Sequence, residues 1–191
     1  MRLSKTYLIG FFWSAFILMV VTSCVSRPDK YTMAVMPKYG FQVLLPENVY
    51  SGSDTIIYKN DLVVSYMWKA VTRTPNNRNV FYNVSATTYP PHIMHSDSVG
   101  LVQLLITDKE PAYFMNNQYE LLERNDLFRF GYPGASFVWF NKEDNSRIYN
   151  HYYMIENKLY YLSIVLPVLN KETSQLKDEF INSFELIDSK V

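Results

Sequence analysis

SRIYNHYYMIENKLYYLSIVLP, residues 146–167, contains two runs rich in aromatic and aliphatic residues on either side of Glu156-Asn157-Lys158. A short polar turn between two such runs predicts an antiparallel β-hairpin. Side chains alternate across a strand, so Tyr149, His151 and Tyr153 are expected on one face of this hairpin. The stretch therefore predicts a domain organised around a tyrosine-rich antiparallel sheet.

The same alternation recurs along the chain. Strands are predicted over FQVLLP (41–46), on both sides of Lys59-Asn60-Asp61 within 54–71, over VFYNVSATTY (80–89), in a hairpin over 119–132 that turns at Asn125-Asp126, and in GYPGASFVWFN (131–141), which begins with a turn. Two segments change to a helical period. One spans 95–111, where Ser96 or Asp97 caps the start and Pro111 ends the helix. The other spans 170–186, where Leu176, Phe180 and Phe184 recur every four residues.

These elements predict the fold class and the domain limits. We expect an α+β domain with a mostly antiparallel sheet of about six to eight strands and two helices. The domain is expected over residues 39–188. Residues 24–38 contain two prolines and no clear period, which predicts a tether in front of the domain.

The first residues have the layout of an export signal. MRLSK carries two cations, an apolar run over 7–21 with Ser14 as its one serine comes after it, and Thr22-Ser23-Cys24 follow that run. Residues 1–23 are therefore predicted to be a signal peptide that directs the rest of the chain out of the cytoplasm. The alternative is an uncleaved membrane anchor over 7–25, which is close to the roughly 20 residues that a spanning helix needs.

VTSC, residues 21–24, resembles the lipobox of bacterial lipoproteins. The resemblance implies that Cys24 carries a diacylglyceryl group, that cleavage occurs before it, and that its new amino group is acylated. Several acyl chains hold a protein on a bilayer where one does not. Val25, rather than aspartate, follows the cysteine, and this favours an outer membrane in a cell that has one. A cell-envelope location outside the cytoplasm is expected, with a covalent lipid and no other cofactor.

A second resemblance covers nearly all of the body. YGFQVLLPENV, the GYPG turn before a strand, the YYLSIVLP ending and the closing FINSFELI are similar to PsbP-like α/β/α sandwich domains, a group that includes DcrB-like bacterial lipoproteins. The resemblance implies an accessory or assembly protein without a shared active site, so it carries no catalytic residue over to this chain.

Composition excludes several classes of function. Basic and acidic residues both number 18, and no basic run is present, which argues against nucleic-acid binding. The single cysteine excludes an intrachain disulfide and any zinc site that needs two thiolates. Hydrophobic residues make up 48% of the chain and aromatic residues 16%, enough for a packed core.

Three groups of residues are candidates for chemistry or binding. His92 and His95, with Asp97 near them, have the spacing of an incomplete metal site, whose alternative is a surface histidine pair. His151 could act as a general base, but Ser136 lacks the second glycine of a nucleophile elbow. The remaining carboxylates are scattered and predicted to be solvated: Glu120, Glu123, Asp126, Glu143 and Asp144.

Aromatic density marks the third candidate. Tyr149, Tyr153, Tyr161 and Trp139 belong to neighbouring predicted strands, and tyrosine is common at binding faces because it joins an apolar ring to a polar tip. Core packing is the alternative role for these rings.

The sequence therefore predicts a lipid-anchored, non-catalytic module that binds an envelope protein. The alternatives are a hydrolase using His151, a metal-dependent enzyme using His92 and His95, and a small-ligand carrier with an aromatic cleft.

Overall fold

The structure is a computed structural model and describes residues 30–74, 78–98, 101, 110, 113, 116–167 and 171–187. Its elements are β1 (Tyr31–Met36), a 3-10 turn (Pro37–Tyr39), β2 (Phe41–Pro46), β3 (Val49–Tyr58), β4 (Asp61–Arg73), β5 (Asn79–Thr88), β6 (Tyr119–Arg129), β7 (Tyr132–Asn141), β8 (Ser146–Ile155), β9 (Lys158–Pro167), α1 (Lys171–Asn182) and β10 (Glu185–Leu186).

The strands form two antiparallel sheets. A seven-stranded sheet has the order β3-β4-β5-β9-β8-β7-β6, and a three-stranded sheet has the order β1-β2-β10. The hairpin predicted over 146–167 is confirmed as β8–β9, and it lies at the middle of the large sheet. The β3–β4 turn is also as predicted: Lys59 and Asn60 both have positive φ, which suits a two-residue hairpin turn.

The predicted fold class is wrong in its count of sheets and helices. Ten strands in two sheets replace one sheet of six to eight strands, and the described residues contain one α-helix of defined bounds and a 3-10 turn where two helices were expected. The helix predicted over 95–111 falls mostly on residues outside the described part of the chain. The strands that the sequence did not predict are β1 and β10. Both are short, and each pairs with β2, which lies between them.

Two local predictions are also corrected. Residues 119–129 form one continuous strand, β6, with a register shift between Leu121 and Glu123 instead of a turn at Asn125-Asp126. The chain reverses at Phe130-Gly131, both of which have positive φ. Gly134, predicted as part of the turn, lies inside β7, where a Cβ would overlap the backbone oxygen of Tyr152.

Residues 30–38, which belong to the segment predicted as a tether, are folded in the structure. This segment consists of Lys30, the strand β1 and the first two residues of the 3-10 turn. β1 pairs with β2 along its full length.

Among the described residues, no helix combines the length and the hydrophobicity that crossing a bilayer requires.

The large sheet has a hydrophobic core on each face. On one face, α1 and the small sheet cover a cluster that includes Phe41, Trp68 and Phe184. On the other face, Tyr89, Met94 and Leu101 pack over a second cluster that includes Trp139. We refer to these as the helix face and the outer face. Even-numbered side chains of β4, β5 and β9 point to the helix face, and odd-numbered ones point to the outer face.

Candidate functional site

A buried carboxyl group lies on the outer face of the sheet. Glu110 is fully buried. Its Oε2 accepts a hydrogen bond of 2.6 Å from Trp139 Nε1, and its Oε1 accepts one of 3.0 Å from Asn150 Nδ2. The Tyr152 hydroxyl donates a third hydrogen bond to Oε1. Glu110 therefore connects β7 and β8 by accepting hydrogen bonds from three buried side chains.

The electrostatics of this carboxyl group favour its neutral form. Burial raises the pKa of Glu110 above its ordinary value of 4.5, and the three hydrogen bonds oppose that shift. Burial also raises the pKa of Tyr113 and of Tyr152. These phenols are consequently neutral at physiological pH, and they act as hydrogen-bonding groups rather than as charges.

A cleft of about 260 Å³ opens beside this cluster. Its lining residues are Ser65, Ser85, Thr87, Tyr113, Tyr152, Leu159 and Tyr161. Every one except the leucine carries a hydroxyl group. The register between β5 and β9 brings four of these residues together, since Ser85 pairs with Tyr161 and Thr87 pairs with Leu159. Hydroxyl-bearing residues from separate segments of the sequence thus meet on one patch of sheet.

Two of the tyrosine rings that line the cleft pack on each other. The rings of Tyr152 and Tyr161 stack with centroids 4.8 Å apart at 21°. The Tyr161 hydroxyl donates a 3.0 Å hydrogen bond to Asn150 Oδ1, which links the cleft to the Glu110 cluster. The Thr87 hydroxyl donates one of 2.8 Å to Ser65 Oγ. The arrangement can bind an uncharged polar group, and none of the described residues that line it is basic.

His151 lies on the opposite face of the sheet. Its Nδ1 is 3.3 Å from the Tyr153 hydroxyl, and Ser136 is its cross-strand neighbour. Burial is the main cause that lowers the pKa of His151 to about 4, and the positive charges of Lys177 and Arg129 add to it. A histidine with such a low pKa is a weak general base at neutral pH. Glu110 and His151, on different faces, cannot act together on one substrate.

Replacing His151 by asparagine is expected to make the free energy of unfolding depend less on pH below pH 6.5. Because the folded pKa lies below the ordinary 6.5, the neutral imidazole stabilises the fold above pH 6.5, and this contribution is lost as pH falls toward 4. Wild type should lose about 1–3 kcal/mol more than H151N across this interval. Urea unfolding at a series of pH values measures the difference. The exposed His92→Asn serves as control, and equal profiles for wild type and H151N would contradict the prediction.

The four aromatic candidates separate between the two faces. Tyr149 and Tyr153 are buried in the core under α1. Trp139 is buried on the outer face, where it donates to Glu110. Tyr161 alone among the four lines the cleft. The common face expected for Tyr149, His151 and Tyr153 is present, but it faces the protein interior.

The histidines considered for metal binding have separate partners. His92 is exposed, and its Nε2 lies 3.1 Å from Asp61 Oδ2. His95 Nδ1 lies 3.4 Å from Asp97 Oδ2. Within the described ranges, no group of three or more histidine, cysteine or acidic side chains is arranged to hold a metal ion. Cys24 lies outside the described residues.

The two edges of the large sheet differ in character. The edge strand β6 carries alternating charges, such as Glu123 and Arg124, and the register shift after Leu121 distorts it. The other edge strand, β3, pairs regularly with β4 over ten residues, and Asp54 is its one charged residue. At the β3–β4 tip the cross-strand neighbours Ile57 and Leu62 are 76% and 70% exposed. Charges and bulges protect sheet edges from association, and β3 has little of this protection.

The sequence analysis missed Glu110, as well as every hydroxyl-bearing residue of the cleft except Tyr161. Glu110 follows Asp108 and Lys109 in the polar sequence TDKEP, which is typical of a solvated helix end. The carboxylates that the sequence predicts to be solvated are indeed exposed: Glu120, Glu123, Asp126, Glu143 and Asp144. Nothing in the local pattern separates Glu110 from them, because its burial depends on Trp139 and Asn150, which are distant in the sequence.

Comparison with solved structures identifies the fold. The solution structure of cyanobacterial PsbP (CyanoP) from Synechocystis sp. PCC 6803 matches with a TM-score of 0.50 and 16% identity, covering 85% of this chain and 95% of CyanoP. The protein has a PsbP-like fold. At this identity the likeness concerns the fold alone.

Two Pseudomonas aeruginosa structures match less well. A protein of unknown function described as a putative regulator has a TM-score of 0.44 at 6% identity, covering 77% of this chain and 90% of its own. The type VI secretion immunity protein TplEi has a TM-score of 0.41 at 10% identity, covering 82% and 97%. No protein-family model matches the sequence. No curated protein matches it either.

Proposed function

We propose that this protein is a lipid-anchored module that binds another protein of the bacterial cell envelope and has no catalytic activity of its own. The observation that carries the proposal is the open edge of β3. A ten-residue, regular strand at a sheet edge presents a row of backbone donors and acceptors to solvent. An extended segment of a partner can add to such an edge as an eighth strand.

The side chains of β3 suit a protein partner. Tyr50 and Ile57 are 74% and 76% exposed, near opposite ends of the strand. Strand addition gains affinity from backbone hydrogen bonds and specificity from side chains of this kind. Ser51, Gly52 and Ser53 lie between them, and such small side chains leave the backbone accessible.

In this proposal the anchor keeps the folded domain near a membrane. Cys24 is seven positions before Tyr31, where β1 begins, and a fully extended chain of this length reaches roughly 25 Å. The folded domain would therefore stay close to the lipid surface, within reach of membrane-associated partners. The residue after the cysteine, Val25, favours an outer membrane in a cell that has one.

The arrangement of titratable groups supports a non-catalytic role. Both oxygens of Glu110 accept hydrogen bonds from buried side chains, and His151 has a pKa of about 4 on the other face. A hydrolase would need its base and its nucleophile in one accessible place. The hydrolase that uses His151 is therefore the less favoured function.

Site-specific photocrosslinking in the native cell tests the docking edge. The photoreactive residue p-benzoylphenylalanine, placed at Tyr50 or at Ile57, is expected to give one discrete adduct with an envelope protein. The same residue at Leu122 on β6 is the matched control, because this position is 40% exposed on the opposite edge. Adding Thr55→Lys should reduce the Ile57 adduct about tenfold or more, since an edge lysine opposes strand pairing. Absence of any β3 adduct, or equal adducts from both edges, would contradict the proposal.

A further inference from the structure

We propose that the outer-face cleft is a second binding site, which accepts a small, uncharged, polyhydroxylated molecule the size of a single sugar ring. The site comprises Ser65, Ser85, Thr87, Tyr113, Tyr152, Leu159 and Tyr161. It is distinct from the β3 edge and goes beyond the protein-binding role proposed above.

The lining determines the charge of the ligand. Its six polar residues carry hydroxyl groups, which can donate and accept hydrogen bonds. Burial raises the pKa of the tyrosines, so they stay protonated, and no lysine, arginine or histidine lines the cleft among the described residues. A charged ligand would lose its hydration without gaining an opposite charge. An uncharged ligand with several hydroxyl groups matches this lining.

The aromatic and apolar surfaces determine the shape of the ligand. Tyr152 and Leu159 are each only 3% exposed, so the apolar surface that a ligand can contact comes mainly from the partly exposed Tyr161, whose ring stacks on Tyr152. A pyranose ring has the complementary form, since it presents C–H groups on its faces and hydroxyl groups around its rim. The volume of about 260 Å³ lies just below the roughly 300–1,000 Å³ of sites for drug-sized ligands, which favours a single ring.

An independent observation on the same face points to a missing hydrogen-bond donor. Asn83 Oδ1 is buried and has no hydrogen-bond partner among the described residues. Asn83 is two residues from Ser85 on β5, so both side chains point to the outer face. Buried polar atoms normally have a partner in the protein or in something bound to it. Asn83 does not line the cleft, so its unpaired oxygen is a feature of the sheet beside the site and is not itself a ligand contact.

Saturation-transfer NMR with the full mature chain in detergent micelles tests the site. The probes are D-glucose, D-galactose, D-mannose and N-acetyl-D-glucosamine, with glucosamine as the cationic and glucuronate as the anionic counterpart. At least one neutral sugar should bind saturably, and the charged counterparts should bind about tenfold more weakly or not at all. Failure of all four neutral sugars, or equal binding of the charged ones, would overturn the proposal.

Two variants of one residue locate the binding. Ser85→Leu, which fills the cleft, should abolish the signal, and Ser85→Ala, which removes one hydroxyl group, should weaken binding about three- to tenfold. Ser51→Leu on exposed β3 is the matched control and should bind like wild type. Circular dichroism confirms that each variant is folded. Unchanged binding in folded S85L, or in S85A if S85L does not fold, would show that the sugar binds elsewhere. β3 variants that lose the protein partner should keep sugar binding.

Discussion

Glu110→Ala is expected to lower the free energy of unfolding by about 3–5 kcal/mol. The substitution removes the acceptor for the buried donors of Trp139, Asn150 and Tyr152. Loss of the acceptor costs about 1–3 kcal/mol for a buried donor that finds no replacement, and the lost side-chain volume adds a cavity. Because the cluster joins β7 to β8, the substitution weakens the contact between two neighbouring strands of the large sheet. Urea unfolding monitored by tryptophan fluorescence measures the effect.

Two further variants separate burial from charge. Glu120→Ala removes an exposed carboxylate and should change stability by less than about 0.5 kcal/mol. Glu110→Gln keeps the shape without ionising. Since the folded pKa of Glu110 is raised, the neutral carboxyl stabilises the fold below pH 4.5, and this contribution is lost as pH rises through the folded pKa. The difference in the free energy of unfolding between wild type and E110Q should therefore become smaller as pH rises. An E110A protein as stable as wild type would mean that the cluster is not buried.

Cys24→Ala is expected to move the protein almost completely out of the membrane fraction, or to leave it as an unprocessed precursor. Each buried methylene contributes roughly 0.8 kcal/mol to membrane binding, so losing two or three acyl chains removes essentially all of the anchorage. Fractionation and intact-mass measurement check this outcome. The wild-type chain should begin at Cys24 and carry added acyl mass, whereas C24A should carry none.

A serine variant next to the lipobox provides the control for this experiment. Ser26→Ala changes a small residue two positions after Cys24 and should leave processing and fractionation unchanged. If the wild-type chain begins at Met1 with a free thiol, the uncleaved anchor over 7–25 is the correct interpretation. In that case the β3 edge and the cleft are unaffected, because neither contains a residue of 1–25.

Much of the strand content could be predicted because its signals are local. The β8–β9 hairpin needs only two alternating runs and a polar turn, and both are contiguous in 146–167. β2 begins and ends at the predicted residues 41 and 46 for the same reason. The error over β6 arose because Asn125-Asp126 is a common turn sequence, yet pairing with β7 keeps both residues in a strand.

The candidate site was mostly beyond prediction. Of the aromatic residues chosen from the sequence, only Tyr161 lines the cleft, since alternation assigns residues to two faces without saying which face is covered. The helix α1 and the small sheet cover Tyr149 and Tyr153. Glu110 had no distinguishing signal, because its partners lie 29 to 42 positions away.

The sequence by itself determined the predicted export signal, the candidate lipid attachment at Cys24 and most of the strands, because each depends on residues that are adjacent or alternate along the chain. Tertiary structure decided that β10 pairs with β2, that the sheet has an open edge at β3, and that six hydroxyl-bearing residues meet beside Glu110. These features depend on strand order and register across the whole domain. They exist only when segments far apart in the chain are brought together by burial of the two cores.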